Sequence, residues 1–399
     1  MKTFSRDIND ESLNMTLVVY GTGAIGEIVF YGLKQWGRTP DYYCDHDPSE
    51  NSFFGVKVIN PDELKNKENL IVIVAFKDFL RSAVRILNDF NIENYYSVVD
   101  LIDLDFRDIA LSAKAQEFLV RKGNYCDIVK SVQFDQHICI QHLEFIVTER
   151  CTLRCKHCSA LVPYFYNPSN LDLMESSLAF DKMLEAVDKI IELSIIGGEP
   201  LLNKDIYKLI NKYSSNKKIS SVVIYTNGSI IPDDVTLKSV KKDNVWVHIS
   251  DYGDLSTKKN ELANLFENNG IKFFLRKYDL WQDAGDFSLR DYSTDMLEWM
   301  YSRCFKARCY SFYKSKLYCC VRSSNGAGAG MLKDEDCVDF SVDDNTLTFR
   351  KRIKQLMSKK YLNACKHCNG MIFGSSEVTP AIQMEKSNTN EDNSQRTNK

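Results

Sequence analysis

Three cysteines fall within one short stretch, Cys151-Thr-Leu-Arg-Cys155-Lys-His-Cys158, directly after an apolar run. Thiolates this close on a loop can be aimed at one inorganic centre: a zinc ion completed by His157 or a remote ligand, or an iron–sulfur cubane. Three ligands leave one iron of a cubane open, and an open position is what a substrate-binding metal needs. A second group comprises Cys304, Cys309, Cys319 and Cys320, followed by the C-x2-C of Cys365 and Cys368. With 13 cysteines in all, any disulfide scheme leaves a thiol over, and the clustering speaks for metal rather than cross-links. Cys44, Cys126 and Cys139 stand alone, and Cys337 in its acidic loop reads as a bystander. A third pattern, Gly21-x-Gly23-x-x-Gly26, follows an apolar strand, with Asp45 ending the next one. There a tight turn and a helix N-terminus would meet phosphate, and Asp45 would take ribose hydroxyls or cap its own loop.

These residues need scaffolds, and the patterning supplies two. Thr16–Tyr20, Asp41–Cys44 and Leu70–Phe76 read as strands, with helical stretches at Glu27–Trp36 and Lys77–Phe90. This alternation predicts a small parallel, doubly wound sheet. Residues 101–142 read as a mostly helical connector. From Leu143 a second alternation begins, with strands at Glu144–Thr148, Leu193–Ile196, Val222–Thr226, Val245–Ser250 and Lys272–Leu275. Helices are predicted at Ser176–Ile191 and Asp205–Tyr213, so five β/α units form a parallel barrel or part of one. The fold class is thus α/β, in five parts: a Rossmann-like unit (1–103), a connector (104–142), a partial barrel (143–295), a cysteine-rich extension (296–384) and a disordered tail (385–399).

The stretch FIVTERCTLRCKHCSALVP resembles the radical S-adenosylmethionine (radical SAM) superfamily, and the resemblance continues in order along 140–275. Gly197-Gly198-Glu199-Pro200 ends the second barrel strand, Asn227-Gly228 the third, and Ser250 lies at the end of the fourth, where barrels place their sites. His157 stands where the family usually has an aromatic residue. The resemblance implies that Cys151, Cys155 and Cys158 hold a [4Fe–4S] cluster whose open iron binds S-adenosylmethionine. It further implies that Gly197, Gly198 and Glu199 meet the methionyl amine, with Pro200, Asn227 and Ser250 nearby in the cofactor site. A 5′-deoxyadenosyl radical would then abstract hydrogen from a substrate. Leu317-Tyr-Cys319-Cys320 and the later CKHCNG resemble the SPASM or Twitch auxiliary-cluster extensions of that superfamily. One auxiliary [4Fe–4S] cluster is expected, on Cys309, Cys319, Cys365 and Cys368, with Cys304 and Cys320 as substitutes; a zinc ribbon is the alternative. The first unit resembles Rossmann-like domains of sugar-modifying enzymes, so it would hold a nucleotide-sugar, NAD(P) or nothing.

The net charge, 51 − 54 = −3, offers no general attraction for nucleic acid or an acidic membrane face. The first residues, MKTFSRDINDESLN, lack an apolar core for a secretory signal, and no apolar run approaches the ~20 residues of a membrane span. A cytoplasmic location is expected. The leading expectation is an oxidoreductase or isomerase acting on a carbohydrate or nucleotide-sugar, fed by an electron donor such as flavodoxin or ferredoxin. A peptide-modifying maturase and a non-catalytic metal-binding scaffold are the alternatives.

Overall fold

The computed structural model describes residues 1–384, apart from 47–49, 78, 135, 308 and 373. The tail expected from 385 onward lies outside the described residues. Two sheets organise the chain. The first contains β1 (Lys2–Thr3), β2 (Thr16–Tyr20), β3 (Tyr42–Cys44), β4 (Ser52–Phe53), β5 (Val56–Ile59), β6 (Leu70–Val74) and β7 (Tyr95–Ser97). Their order is β1-β7-β6-β2-β3-β5-β4, parallel except for the short β4–β5 pair. β2 and β6 are buried almost throughout, as continuous Val/Ile/Leu runs must be when helices cover both faces. Helix Ala24–Gln35 starts at Gly23 on the turn after β2.

Two of the three glycines in that turn are dictated by contact. A Cβ on Gly26 would stand 2.2 Å from the Gly21 carbonyl oxygen. Gly21 has φ +128°, and a Cβ there would stand 2.7 Å from the Ala75 carbonyl oxygen. Around Gly23 there is open space.

The second sheet carries the cysteine loops. It contains β8 (Cys139–Ile146), β9 (Lys189–Ile196), β10 (Ile219–Thr226), β11 (Val245–Asp251) and β12 (Phe273–Lys277), all parallel. A separate two-stranded pair joins β13 (Trp281–Gln282) to β17 (Glu377–Val378). The cysteine-rich extension then returns to the main sheet. β14 (Cys309–Tyr313) pairs in parallel with β8, and β15 (Lys316–Tyr318) and β16 (Cys337–Asp339) add antiparallel beyond it. The boundary expected at 295 therefore does not divide the sheet, because the extension supplies its β14–β16 side.

Outward residues such as Leu143, Phe145, Leu193 and Ile224 join the main core with Phe180 and Ile210 of the flanking helices. By alternation, His142, Glu144, Glu192, Ser194, Tyr225 and His248 face the inner side. The helix predicted at Ser176–Ile191 is found at Leu173–Ala186. Val187 is already extended, and Ile190 belongs to β9, so apolar residues of helix and strand had merged into one pattern.

The first unit packs on the barrel. Cys139 and Ile191 lie in its core cluster, and the Gln141 amide donates to the Lys77 carbonyl at 3.2 Å. Among the described residues no helix is long and apolar enough to cross a membrane. Gly26→Ala should destabilise the first unit by about 2–3 kcal/mol, because neither backbone in contact can yield cheaply. Urea unfolding followed by far-ultraviolet dichroism measures this loss.

Candidate active site

The segment after β8 is zipped to the end of β9. Val147 N–H donates to Ile196 O, Gly198 N–H to Thr148 O at 3.0 Å, and Glu199 N–H to Arg150 O at 2.8 Å. This delivers Cys151 to the barrel mouth. A Cβ on Gly197 would lie 2.4 Å from Thr148 O, and one on Gly198 2.2 Å from Arg150 O. The close approach expected of these glycines is thus an approach to the cysteine-bearing segment of the chain itself.

Glu199 is fully buried. Its Oε1 accepts from Leu201 N (3.2 Å) and Thr226 Oγ1 (2.9 Å), and its Oε2 from Asn227 N (2.8 Å). In this arrangement the carboxylate clamps the ends of β9 and β10, and a ligand ammonium would share it with these chain donors. Burial pushes its carboxyl up to about 7, against the pull of those hydrogen bonds. Pro200 opens the turn that Glu199 caps. Asn227 Nδ2 reaches Thr152 Oγ1 (3.0 Å) and Cys151 Sγ (3.5 Å). Ser250, nearly buried, meets the Tyr252 hydroxyl.

Burial pushes the Cys151 thiol up to about 12 and Cys155 to about 11, and raises Cys158 as well. Yet the sulfurs are surrounded by donors suited to thiolates. Leu153 N–H points at Cys151 Sγ (3.4 Å), and backbone N–H groups of Ala160, Leu161 and Val162 act on Cys158. Cys155 Sγ receives the Gln383 amide at 3.3 Å. Gln383 belongs to a strap that crosses the loop. Met384 N–H bonds to Arg154 O (2.8 Å), Lys156 N–H to Ile382 O (2.7 Å), and Arg154 N–H to Gln383 Oε1 (2.8 Å). Sequence reasoning missed this residue, because nothing local marks a contact made 228 positions away.

The second group resolves by the same criterion. Cys304, Cys320, Cys365 and Cys368 line one cavity together with Met300, Arg322 and Gly370. Leu362 N–H points at Cys365 Sγ and Gly370 N–H at Cys368 Sγ, both at 3.4 Å. Backbone N–H groups likewise act on Cys304 and Cys320. Cys319, by contrast, is turned into the main core and donates to Leu356 O (3.6 Å). Cys309 donates to Phe305 O (4.0 Å) and stands beside Lys306 and Glu144. Of the four ligands first expected, Cys365 and Cys368 line the cavity; the two substitutes, Cys304 and Cys320, line it with them, and Cys309 and Cys319 are not among its lining residues. Cys319 and Cys320 both follow the end of β15 at Tyr318: Cys319 stays in the main core, while Cys320 caps helix Val321–Gly328 and lines the cavity. Cys337 donates to Asp334 Oδ1 (3.5 Å). Among the described residues, no three His, Cys, Asp or Glu side chains converge as they would on a single metal ion. Ligands at the corners of a cubane stand farther apart than that.

In the first unit, Asp45 Oδ2 accepts from Thr22 N (2.9 Å) and Thr22 Oγ1 (2.7 Å). Asp45, expected at a ribose or as the cap of its own loop, is thereby engaged by the glycine turn. Tyr20 OH and His46 Nε2 lie 2.5 Å apart beside it.

Residues 145–250 match the family model of the Radical SAM superfamily. A GTP 3′,8-cyclase of Campylobacter jejuni subsp. doylei is 35% identical over 130 residues, which is 31% of this chain and 39% of that protein. The chain thus spans about two fifths of the length of this relative and of a second Campylobacter jejuni GTP 3′,8-cyclase. A GTP 3′,8-cyclase of Helicobacter pylori is 27% identical over 252 residues, 59% of this chain and 72% of that protein. Among solved structures, BtrN in complex with AdoMet and 2-DOIA covers 61% of this chain and 98% of its own, with 15% identity and a TM-score of 0.35. Streptococcus suis SuiB bound to the precursor peptide SuiA covers 50% and 46%, with 17% identity and a TM-score of 0.29.

A carboxyl raised in the folded state binds protons that the unfolded chain has released. Stability from Glu199 is therefore lost as pH rises from about 4.5 to about 7. In cofactor-free protein, Glu199→Gln should flatten the fall in unfolding free energy between pH 5 and 7 by up to about 3 kcal/mol. Urea titrations at the two pH values check this.

Proposed function

We propose, starting from a radical SAM domain at residues 145–250, that this chain generates a 5′-deoxyadenosyl radical at the 151–158 loop and directs it into the barrel interior. The observation that carries the reading is the set of N–H donors aimed at Cys151, Cys155 and Cys158 on a loop locked by Gly197, Gly198 and Glu199. A [4Fe–4S] cluster with S-adenosylmethionine supplies, when bound, one-electron cleavage of a sulfonium and hence a radical able to attack an unactivated C–H bond. The chain's own work is positioning. Cys151, Cys155 and Cys158 would hold the cluster, Asn227 and Ser250 would orient the sulfonium ligand, and Tyr252 packed on Trp281 would shield the mouth from water.

Cys304, Cys320, Cys365 and Cys368 would hold an auxiliary [4Fe–4S] cluster, supported by their shared cavity and N–H donors. The substrate reading is a carbohydrate or nucleotide-sugar, oxidised or epimerised. The inner face supports a hydroxyl-rich molecule, since Glu144, Glu192, Tyr225 and His248 all point there. Guanosine triphosphate, the substrate class in the relatives' name, would meet two carboxylates where a cationic cradle is needed. The glycine turn of the first unit would receive the nucleotide part, and a flavodoxin- or ferredoxin-type donor would supply electrons.

Anaerobic reconstitution should load about eight iron atoms per chain, with 5′-deoxyadenosine formed on reduction with S-adenosylmethionine. Cys151→Ala should abolish 5′-deoxyadenosine. Cys304→Ser and Cys320→Ser should each halve the iron, while Cys319→Ser leaves it unchanged; iron analysis and chromatography decide. Gln383→Leu should make the first cluster's midpoint potential more negative, because an N–H donor to a ligand sulfur favours the more negative, reduced form. A redox titration followed by electron paramagnetic resonance reads the shift.

A further inference from the structure

The inner face of the barrel holds a polar cluster that the cysteine loops do not use. On β8 and β9, neighbours in register, stand His142 opposite Glu192 and Glu144 opposite Ser194. Glu192 Oε1 accepts from Ser194 Oγ (2.7 Å) and Tyr225 OH (3.3 Å). Tyr225 stacks on His248 with ring centroids 4.7 Å apart, and Tyr278 OH meets His248 Nε2 at 3.1 Å. From the other side comes Lys306, within Coulombic reach of Glu144, Cys309, Cys320 and Tyr278. Cys320 lines the auxiliary cavity, and Tyr278 packs on Tyr252, which lies beside Cys155 and Cys158, so Lys306 is within Coulombic reach of a residue from each neighbourhood.

One member of this cluster is unfinished. Glu144 Oε2 is closed off from solvent and has no hydrogen-bond partner. A buried carboxylate oxygen without a donor is costly, and folds keep such groups where a ligand completes them. The groups around it fit a ring bearing hydroxyls or an amine: two carboxylates to accept, one lysine to donate, and stacked Tyr225 and His248 to carry a ring face.

We propose that Glu144, Glu192 and Lys306 form the specificity-determining subsite for a sugar-type ring, with Glu144 Oε2 accepting a hydrogen bond from a substrate hydroxyl or ammonium. The inference rests on the radical reading above and adds the substrate contact to it. Lys306 balances the Glu144 charge and would donate to a second oxygen of the ring. Glu192, already held by Ser194 and Tyr225, would receive the neighbouring hydroxyl on its remaining lone pairs.

The test uses the full chain, reconstituted anaerobically with S-adenosylmethionine present, and three probes: UDP-glucose, UDP-N-acetylglucosamine and free glucosamine. Thermal unfolding is recorded with and without each probe for the parent and for Glu144→Gln. At saturation at least one probe should raise the parent's Tm by about 2–4 °C or more. Glu144→Gln should lose that rise while its own unliganded Tm equals or exceeds the parent's, because a closed-off carboxylate oxygen that no donor reaches has been removed. A carboxylate completed by a buried water would behave oppositely, with lower stability in Glu144→Gln. The inference is overturned if no probe shifts the parent, if the shift survives in Glu144→Gln, or if that variant is less stable or does not fold. Formation of 5′-deoxyadenosine by the same parent preparation keeps a failure here separate from a failure of the radical reading.

Discussion

The end of β9 runs so close to residues 148–151 that no side chain, not even a methyl group, fits between them. Two glycines make the contact, backbone hydrogen bonds fasten it, and the Glu199 carboxylate locks it to β10 from behind. Everything else in the candidate site takes its place from this seam. Cys151 is delivered by it, Asn227 reaches Cys151 because Glu199 holds the Asn227 backbone, and Ser250 sits at the next strand end. The seam is expensive, since it buries a carboxylate, and that expense goes into rigidity at the mouth of the barrel.

A sulfur's surroundings separate cysteines with different work. Those on the 151–158 loop and around the auxiliary cavity receive N–H groups, as thiolates require. Among the described residues, Cys309, Cys319 and Cys337 receive no backbone N–H and donate to oxygens, as thiols do, Cys319 with the Tyr301 hydroxyl also upon it. The extension that carries the second set is built into the barrel by β14. It is also pinned to the first loop, through Tyr313 on the Glu149 carboxylate and through Asn325 Nδ2 on Ala160 O at 2.9 Å. The two centres therefore belong to one mechanical body.

Much of this was legible in the residues alone. The eight strands expected lie near where alternation and apolar runs put them, with β2 at the residues expected, Thr16–Tyr20, whereas β1, β4, β5, β7 and β14–β16 are short strands that carry no such run. The strand-end glycines and Glu199 announced themselves by motif. What escaped depends on distance along the chain. Choosing among Cys304, Cys309, Cys319 and Cys320 requires knowing how the ends of helix Thr294–Arg303, β14 and β15 are turned towards the cavity, and spacing does not encode that. The helix before β9 was drawn too long because Val187 and Ile190 continue its apolar rhythm by chance. For Asp45, position suggests a ribose contact or a loop cap, and the two donors of Thr22 that it accepts have no sequence signature. Glu144 and Gln383 carry no local signature at all.

The strap at 382–384 has a consequence for the order of assembly. The loop at 154–156 meets the strap, with Cys155 and Gln383 standing 228 positions apart, a closure of very high sequence separation that forms late and slowly. During synthesis the cysteine loop emerges and its barrel strands pair well before the strap exists. The loop therefore passes through a period when its sulfurs are laid out by the seam yet still uncovered. An inorganic centre would enter most readily then, before Gln383 covers Cys155.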